Sequence, residues 1–334
     1  MDWGLIGHEW AVDLLADHVA HGQERQAYLL TGPQGVGKRT LALRFAQSLN
    51  CLNSKVPGKP CGKCSSCKKF DTMQHPDLTI VEAEQQGGIL RIDQVREMQH
   101  SLSLAPYEAK YRIALLLRIE EANINTANAL LKTLEEPPQQ VVVLLTANSA
   151  ENLLPTIVSR CEVIRLRVLS VDETSKGLQQ KKGVPVEMAD KLAHISGGRP
   201  GYAIRMYEHP ELLEQRLSWL EELFHILSSS QGERFGLALE MSKDRDNEAM
   251  RSKLQVWLTL WRDVLLNSSG ITQSLTNQDH SEQVKYLTEH ISMSEAQNYI
   301  QAVANTLDYI DHNVNSRLAL EVLLMDFPRV DLSL

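Results

Sequence analysis

The stretch Thr31-Gly32-Pro33-Gln34-Gly35-Val36-Gly37-Lys38-Arg39-Thr40 constrains this chain more than any other segment. It follows the apolar run Ala27-Tyr28-Leu29-Leu30 and precedes Leu41, Phe45 and Leu49, which recur at helical spacing. Glycines between a strand and a helix let successive backbone amides converge on an anion. The helix N-terminus adds partial positive charge, and a lysine at its start reaches the outer phosphates of a nucleotide. Gly32, Gly35, Gly37 and Lys38 are therefore the candidate cofactor-binding residues, with ATP or ADP as the candidate ligand.

Strand and helix signals alternate through the first half of the chain. Trp10 and Leu14, with Ala11, Leu15 and Val19, predict a helix closed by Gly22. Leu78-Thr79-Ile80-Val81 predicts a strand, and Ile92, Val95, Met98 and Leu102 predict a helix. The unbroken apolar run from Ile113 to Leu117 reads as a central parallel strand covered on both faces. A helix from about Asn125 to Pro137, a strand from Val141 to Leu145, a short helix near 151–159 and the strand Val163-Ile164-Arg165-Leu166 complete the unit. This order predicts a three-layer α/β domain with a parallel sheet over residues 1–166. After residue 166 no strand signal is present. Short helices interrupted by Gly197-Gly198-Arg199-Pro200-Gly201 predict a small helical lid over 167–207. Apolar stripes such as Trp257/Trp261 and Leu318, Val322 and Leu323 predict an all-α domain over 208–334, expected to serve both an internal core and subunit contacts.

Charge narrows the functional classes. Residues 208–334 hold 10 Lys and Arg against 20 Asp and Glu, a net of −10 within a whole-chain net of −8. Neutralisation of phosphates dominates affinity for DNA, so a chain that grips DNA alone should carry a basic segment. None stands out here, and contact with nucleic acid is expected only in company with other subunits. No apolar run approaches the ~20 residues that span a bilayer, and Met1-Asp2-Trp3-Gly4 opens no secretory signal. The expectation is a cytoplasmic chain with no membrane contact.

Four of the five cysteines fall in one excursion, Cys51-x9-Cys61-x2-Cys64-x2-Cys67. Zn²⁺ takes four thiolates tetrahedrally at about 2.3 Å in closed, structural sites. Gly58 and Gly62, with Pro57 and Pro60, allow the tight turns that gather such ligands, and Lys55, Lys59, Lys63, Lys68 and Lys69 can offset the anionic centre. Two disulfides are disfavoured in the cytosol, whereas cysteine ligation by itself also suits an iron–sulfur cluster. Zinc at Cys51, Cys61, Cys64 and Cys67 is the reading adopted (residues 51–67), and Cys161 is read as a small buried apolar residue. The same lysines would suit a DNA-binding patch, but their place around an anionic centre favours charge compensation.

The phosphate loop lacks its usual accompaniment. The residue after Lys38 should be Ser or Thr, to ligate Mg²⁺, yet it is Arg39, and a guanidinium cannot ligate a cation. Thr40, one residue later, is rotated about 100° around the helix. The acidic residue expected at the end of the apolar strand is missing too: the strand ends Leu115-Leu116-Leu117-Arg118, and Glu120 and Glu121 follow too late. These substitutions predict no intrinsic ATPase.

Asn128-Ala129-Leu130-Leu131-Lys132-Thr133-Leu134-Glu135-Glu136-Pro137-Pro138 and Ser159-Arg160-Cys161 closely resemble the bacterial DNA polymerase III clamp-loader AAA+ subunits. The cysteine cluster fits that family, Ile6-Gly7-His8 is similar to its adenine-recognition segment, and Asn313 to Glu321 is similar to its helical collar. The resemblance implies an AAA+ P-loop domain with an inserted zinc site, a lid and a collar. It places Leu117 and Arg118 on the family's Asp-Glu pair, and Gly201 where active members carry an arginine. This combination resembles the delta-prime branch, a subunit of the DNA-directed DNA polymerase holoenzyme without its own ATPase. The implied partners are gamma/tau and delta subunits and, through the complex, the sliding clamp and primed DNA. From spacing alone Arg160 reads as a surface residue paired with a carboxylate. The resemblance instead implies a catalytic arginine finger offered in trans to a neighbour's ATP. Two other readings are an active gamma/tau-type ATPase and a zinc-containing DNA-binding module. A branch-migration helicase is more distant.

Overall fold

In the computed structural model, residues 2–84, 87–243, 246–271, 275–311 and 315–330 are described. They form two compact units, one of residues 1–189 with 198–202 and one of 190–197 with 203–334.

The first unit is built on five parallel strands: β1 (Ala27–Thr31), β2 (Leu78–Val81), β3 (Arg112–Leu116), β4 (Val141–Ala147) and β5 (Glu162–Arg165), in the order β2-β3-β4-β1-β5. Every residue of β1, β3 and β4 is buried. Successive side chains alternate between faces. Ile113, Leu115, Val142 and Leu144 enter one apolar core with Leu41 and Phe45. Ala114, Leu116, Val143 and Leu145 enter the other with Val95, Met98 and Leu130. Helices α1 (Glu9–His21), α2 (Lys38–Asn50), α3 (Ser65–Asp71), α4 (Ile92–Leu102), α5 (Ile124–Glu135) and α6 (Pro155–Val158) complete the layers, with a 3-10 turn at Ile119–Glu121. Helix α3, inside the cysteine segment, carries no sequence signal long enough to predict it. It forms because the Cys64 sulfur caps its first turn, accepting from the Cys67 amide.

Three helices follow: α7 (Val171–Lys182), α8 (Val186–Ser196) and α9 (Pro200–Glu208). The second unit is wholly helical beyond them, with α10 (Glu211–Ser228), α11 (Gln231–Lys243), α12 (Asn247–Ser268), α13 (Ser281–His290), α14 (Met293–Asp311) and α15 (Ser316–Asp326). Trp257 and Trp261 are fully buried and pack on Phe327 with ring centroids 6.1 and 5.4 Å apart. The Leu318–Leu323 stripe divides: Leu320 and Leu323 are core, while Leu318 and Val322 are exposed. Asn313 and Val314, part of the proposed collar match, lie outside the described residues. No described helix is long and apolar enough to cross a membrane.

One buried cation organises the end of this unit. Arg234 is 3 % exposed, and its guanidinium donates to the carbonyls of Ile226 (3.0 Å), Leu227 (3.3 Å), Leu324 (2.9 Å), Phe327 (2.6 Å) and Pro328 (2.7 Å). These carbonyls close α10 and α15, whose C-termini carry partial negative charge. Removing the guanidinium would leave several buried acceptors unpaired, each costing roughly 1–3 kcal/mol. Arg234→Ala is expected to lower stability by about 3 kcal/mol or more, read as a shifted denaturant midpoint for the helical unit.

Candidate functional site

The four predicted sulfurs come together: those of Cys51, Cys61, Cys64 and Cys67 all lie within 4.8 Å of one another. A tetrahedral ion with ligands at 2.3 Å needs sulfurs about 3.8 Å apart, so modest closure suffices. Backbone amides are directed at the sulfurs of Cys51, Cys61 and Cys64, while burial holds the Cys51 and Cys67 thiols above their usual range. The Cys61 sulfur accepts from the amides of Lys63 (3.5 Å) and Cys64 (3.3 Å), which draw its thiol down to about 6. The Cys51 sulfur accepts from the Cys61 amide at 3.2 Å. The donor set and its amides fit a structural metal site. Lys55, Lys59, Lys63 and Lys68 are exposed around it, while Lys69 pairs with Glu108 at 2.6 Å. His75 is buried outside the sulfur group, stacked on Phe70.

The module is fastened to the elements around it. Trp3 Nε1 donates to the Gly58 carbonyl at 3.0 Å, and Gly58 lies so close to the Ala16 backbone that a side chain would collide. From α2, Gln47 donates to the Cys67 carbonyl (2.8 Å), Arg44 pairs with Asp71 (2.8 Å) and Arg39 Nη2 reaches Met73 Sδ (2.6 Å). The last contact answers the question raised by the sequence. Arg39 is exposed and directed to the far end of α3, and Thr40 is exposed as well.

The glycine loop has the expected form. Gly32, Gly35 and Gly37 adopt φ of 142°, 81° and 112°, conformations that side chains disfavour. Lys38 Nζ donates to the carbonyls of Gly32 and Pro33 (3.2 Å for the latter) and to Asn148 Oδ1 (3.3 Å). Burial lowers its pKa to about 8, opposed by the nearby Glu120 carboxylate. His8 Nε2 bonds the Val36 carbonyl at 3.1 Å, which brings the Ile6-Gly7-His8 segment onto the loop.

At the strand end the apolar substitution is complete. Leu117 is 4 % exposed and belongs to the α2-side core. Arg118 turns through a left-handed conformation (φ 54°), and its guanidinium pairs with Glu121 at 2.8 Å and Glu82 at 3.4 Å. Spacing along the chain left Glu120 no part in the site. The 3-10 turn corrects this by folding its carboxylate back to accept from the Asn148 amide at 3.1 Å, close enough to act on Lys38. Burial raises the Glu120 pKa, and its Oε2 has no hydrogen-bond partner among the described residues. Only the return of the turn, which no local periodicity encodes, could have revealed Glu120; Asn148, where the sequence points to a sensor-1 position without fixing its register, reaches Lys38 from the end of β4.

Gly201 also meets the loop. Its amide donates to the Gly35 carbonyl at 2.7 Å, and Tyr202 packs over Gly35. Among the described residues, Arg160, after α6, bonds none of the phosphate loop. Its Nη1 donates to the Thr156 carbonyl (2.8 Å) and its Nη2 to Glu135 Oε1 (2.5 Å). Neighbouring Cys161 packs against the β-sheet core, and burial pushes its thiol up to about 12.

Residues 7–170 match the family described as DNA polymerase III, delta subunit, and residues 210–329 match the corresponding C-terminal family. The delta' subunit of DNA polymerase III from Pseudomonas aeruginosa is 34% identical over 224 residues, which cover 66% of this chain and 67% of that protein. The chain belongs to the DNA polymerase III delta-prime subunit family. A second member, from Bacillus subtilis, is 27% identical over 93% of both chains. The related tau subunit of Escherichia coli is 31% identical over 52% of this chain and 27% of its own length. A solved gamma subunit-related protein from Thermotoga maritima has a TM-score of 0.45 at 19% identity, over 95% of this chain and 97% of that one.

In this delta-prime family member the glycine loop is bordered by Leu117, Arg118, Arg39 and Gly201. At Gly201 the lack of a side chain has a steric reason. A Cβ there would lie 2.8 Å from the Gly35 carbonyl oxygen, so any larger side chain must displace backbone. Gly201→Ala is expected to destabilise the α/β unit by about 1–3 kcal/mol, read as a lower melting temperature of the purified chain.

Proposed function

We propose that this chain acts in the clamp-loader complex as a subunit that does not hydrolyse ATP and that offers Arg160 in trans to a neighbouring ATPase subunit. The observation that carries the first half is Leu117. Its burial leaves an apolar side chain where a metal-holding carboxylate is needed, while Arg39 and Arg118 are engaged elsewhere. Lys38 and the glycine loop remain suited to the phosphates of ATP or ADP, held without turnover. The partners in this reading are gamma/tau and delta subunits, which together open the sliding clamp and place it on primed DNA in the cytoplasm. Residues 1–166, 167–207 and 208–334 would act as the nucleotide module, lid and collar.

Arg160 suits the second half through its chemistry. Its guanidinium is permanently charged, a third exposed, and bears five donors of which two are engaged. Charge that spreads over a transferring phosphoryl group is stabilised by such a fork, an effect worth ~10³–10⁵ in rate at the site it completes. The four-cysteine cluster holds Zn²⁺ as a structural ion in this reading. It closes the excursion that grips α2, and no ligand position stays open for substrate.

Three measurements test the reading. The purified chain should release no phosphate from ATP above background, and Lys38-dependent turnover by the chain alone would favour the gamma/tau-type ATPase. Arg160→Ala should leave the chain folded and able to assemble, yet lower the ATPase of the assembled complex. Elemental analysis should find one zinc per chain, lost in a Cys64→Ser variant together with several degrees of melting temperature. Iron in place of zinc would overturn the metal assignment.

A further inference from the structure

Glu135 is the last residue of α5, and Glu136 and two prolines follow it. A helix C-terminus carries partial negative charge, so a carboxylate at that place is disfavoured unless a cation accompanies it. The cation is Arg160, whose Nη2 lies 2.5 Å from Glu135 Oε1. The other arm, Nη1, donates to the Thr156 carbonyl within its own short helical turn at 2.8 Å. The guanidinium is thus held at two points that belong to different elements, α5 and α6. A single tether to Thr156 would let a long side chain swing about that bond; the carboxylate fixes its second axis. Both side chains remain partly open to solvent, at 33% and 49% exposure, so the pair can form without sealing the arginine away from a visiting anion.

We propose that Glu135 is a positioning residue for Arg160: it holds the guanidinium plane in place so that the unengaged donors meet the phosphate oxygens of a nucleotide bound by an adjacent subunit. This rests on the arginine-finger reading and adds the group that preorganises it. An ordinary surface ion pair would stabilise the chain slightly and do nothing else. A positioning carboxylate acts only through its arginine, and orientation affects the chemical step more than substrate binding.

The test uses the complete complex assembled from gamma/tau, delta and this chain, with ATP as the probe. Glu135→Ala is expected to lower kcat towards the Arg160→Ala level with KM for ATP unchanged. The double variant should be no slower than Arg160→Ala alone, because a positioning residue has nothing left to position. Glu135→Gln keeps an acceptor of the same shape and should recover part of the loss; it also serves if the alanine variant assembles poorly. Wild-type turnover in both Glu135 variants, beside a slow Arg160→Ala complex, would overturn the role of Glu135 and leave the finger standing. Additive losses in the double variant would overturn it equally. Wild-type turnover in Arg160→Ala would overturn the finger and this inference together.

Discussion

Burial of the parallel sheet on both faces leaves the strand ends as the places where this unit can present polar chemistry. Gly32 follows β1, Leu117 follows β3 and Asn148 follows β4, three neighbouring strands of one register. Open α/β sheets bind their ligands outside the carboxyl ends of the strands for this reason. The same geometry makes each substitution there consequential. A leucine at the end of β3 is drawn into the apolar core, and the residue after it must turn sharply to leave the sheet. Arg118 does so in a left-handed conformation and finds its partners among Glu82 and Glu121 rather than at the loop.

The helix that starts at the phosphate loop is held along its length by the cysteine module. Arg39, Arg44 and Gln47 all reach α3 or the turn after it, and Ser66 in turn donates to the Asn50 carbonyl at the end of α2. Arg39, the residue directly after Lys38, is thus engaged in a structural contact. The loop keeps its glycine conformations, and Lys38 is satisfied by carbonyls and by Asn148. Such a site has the form of a backbone cradle bordered by packing and ion pairs.

Arginine supplies several of the fixed points elsewhere. Arg216, 3 % exposed, forks onto Asp279 at 2.7 Å and Asn277 at 2.6 Å, while Asp263 beneath accepts from the Thr276 and Asn277 amides. Arg112 pairs with Asp77, whose carboxylate also accepts from three successive amides, Tyr107 to Ala109. A planar, permanently charged group with five donors can satisfy several acceptors at once, which lysine cannot do in a fixed geometry. Arg160 differs from these in its partial exposure and in having only two of its donors engaged.

The sequence by itself determined the alternation of strands and helices, the phosphate loop, the cysteine tetrad and the missing metal ligands. Each of these is a local pattern: periodicity, spacing or the chemistry of one side chain. Tertiary structure alone decided that Glu120 returns to Lys38, that Gly201 rests on the Gly35 carbonyl, that Arg39 turns to Met73, and that Glu135 meets Arg160, 25 residues further along the chain. Even α3 owes its start to a sulfur whose own place depends on the cluster. Partners of this kind are chosen by where buried elements bring chain ends together, and no pattern read along one segment contains that information.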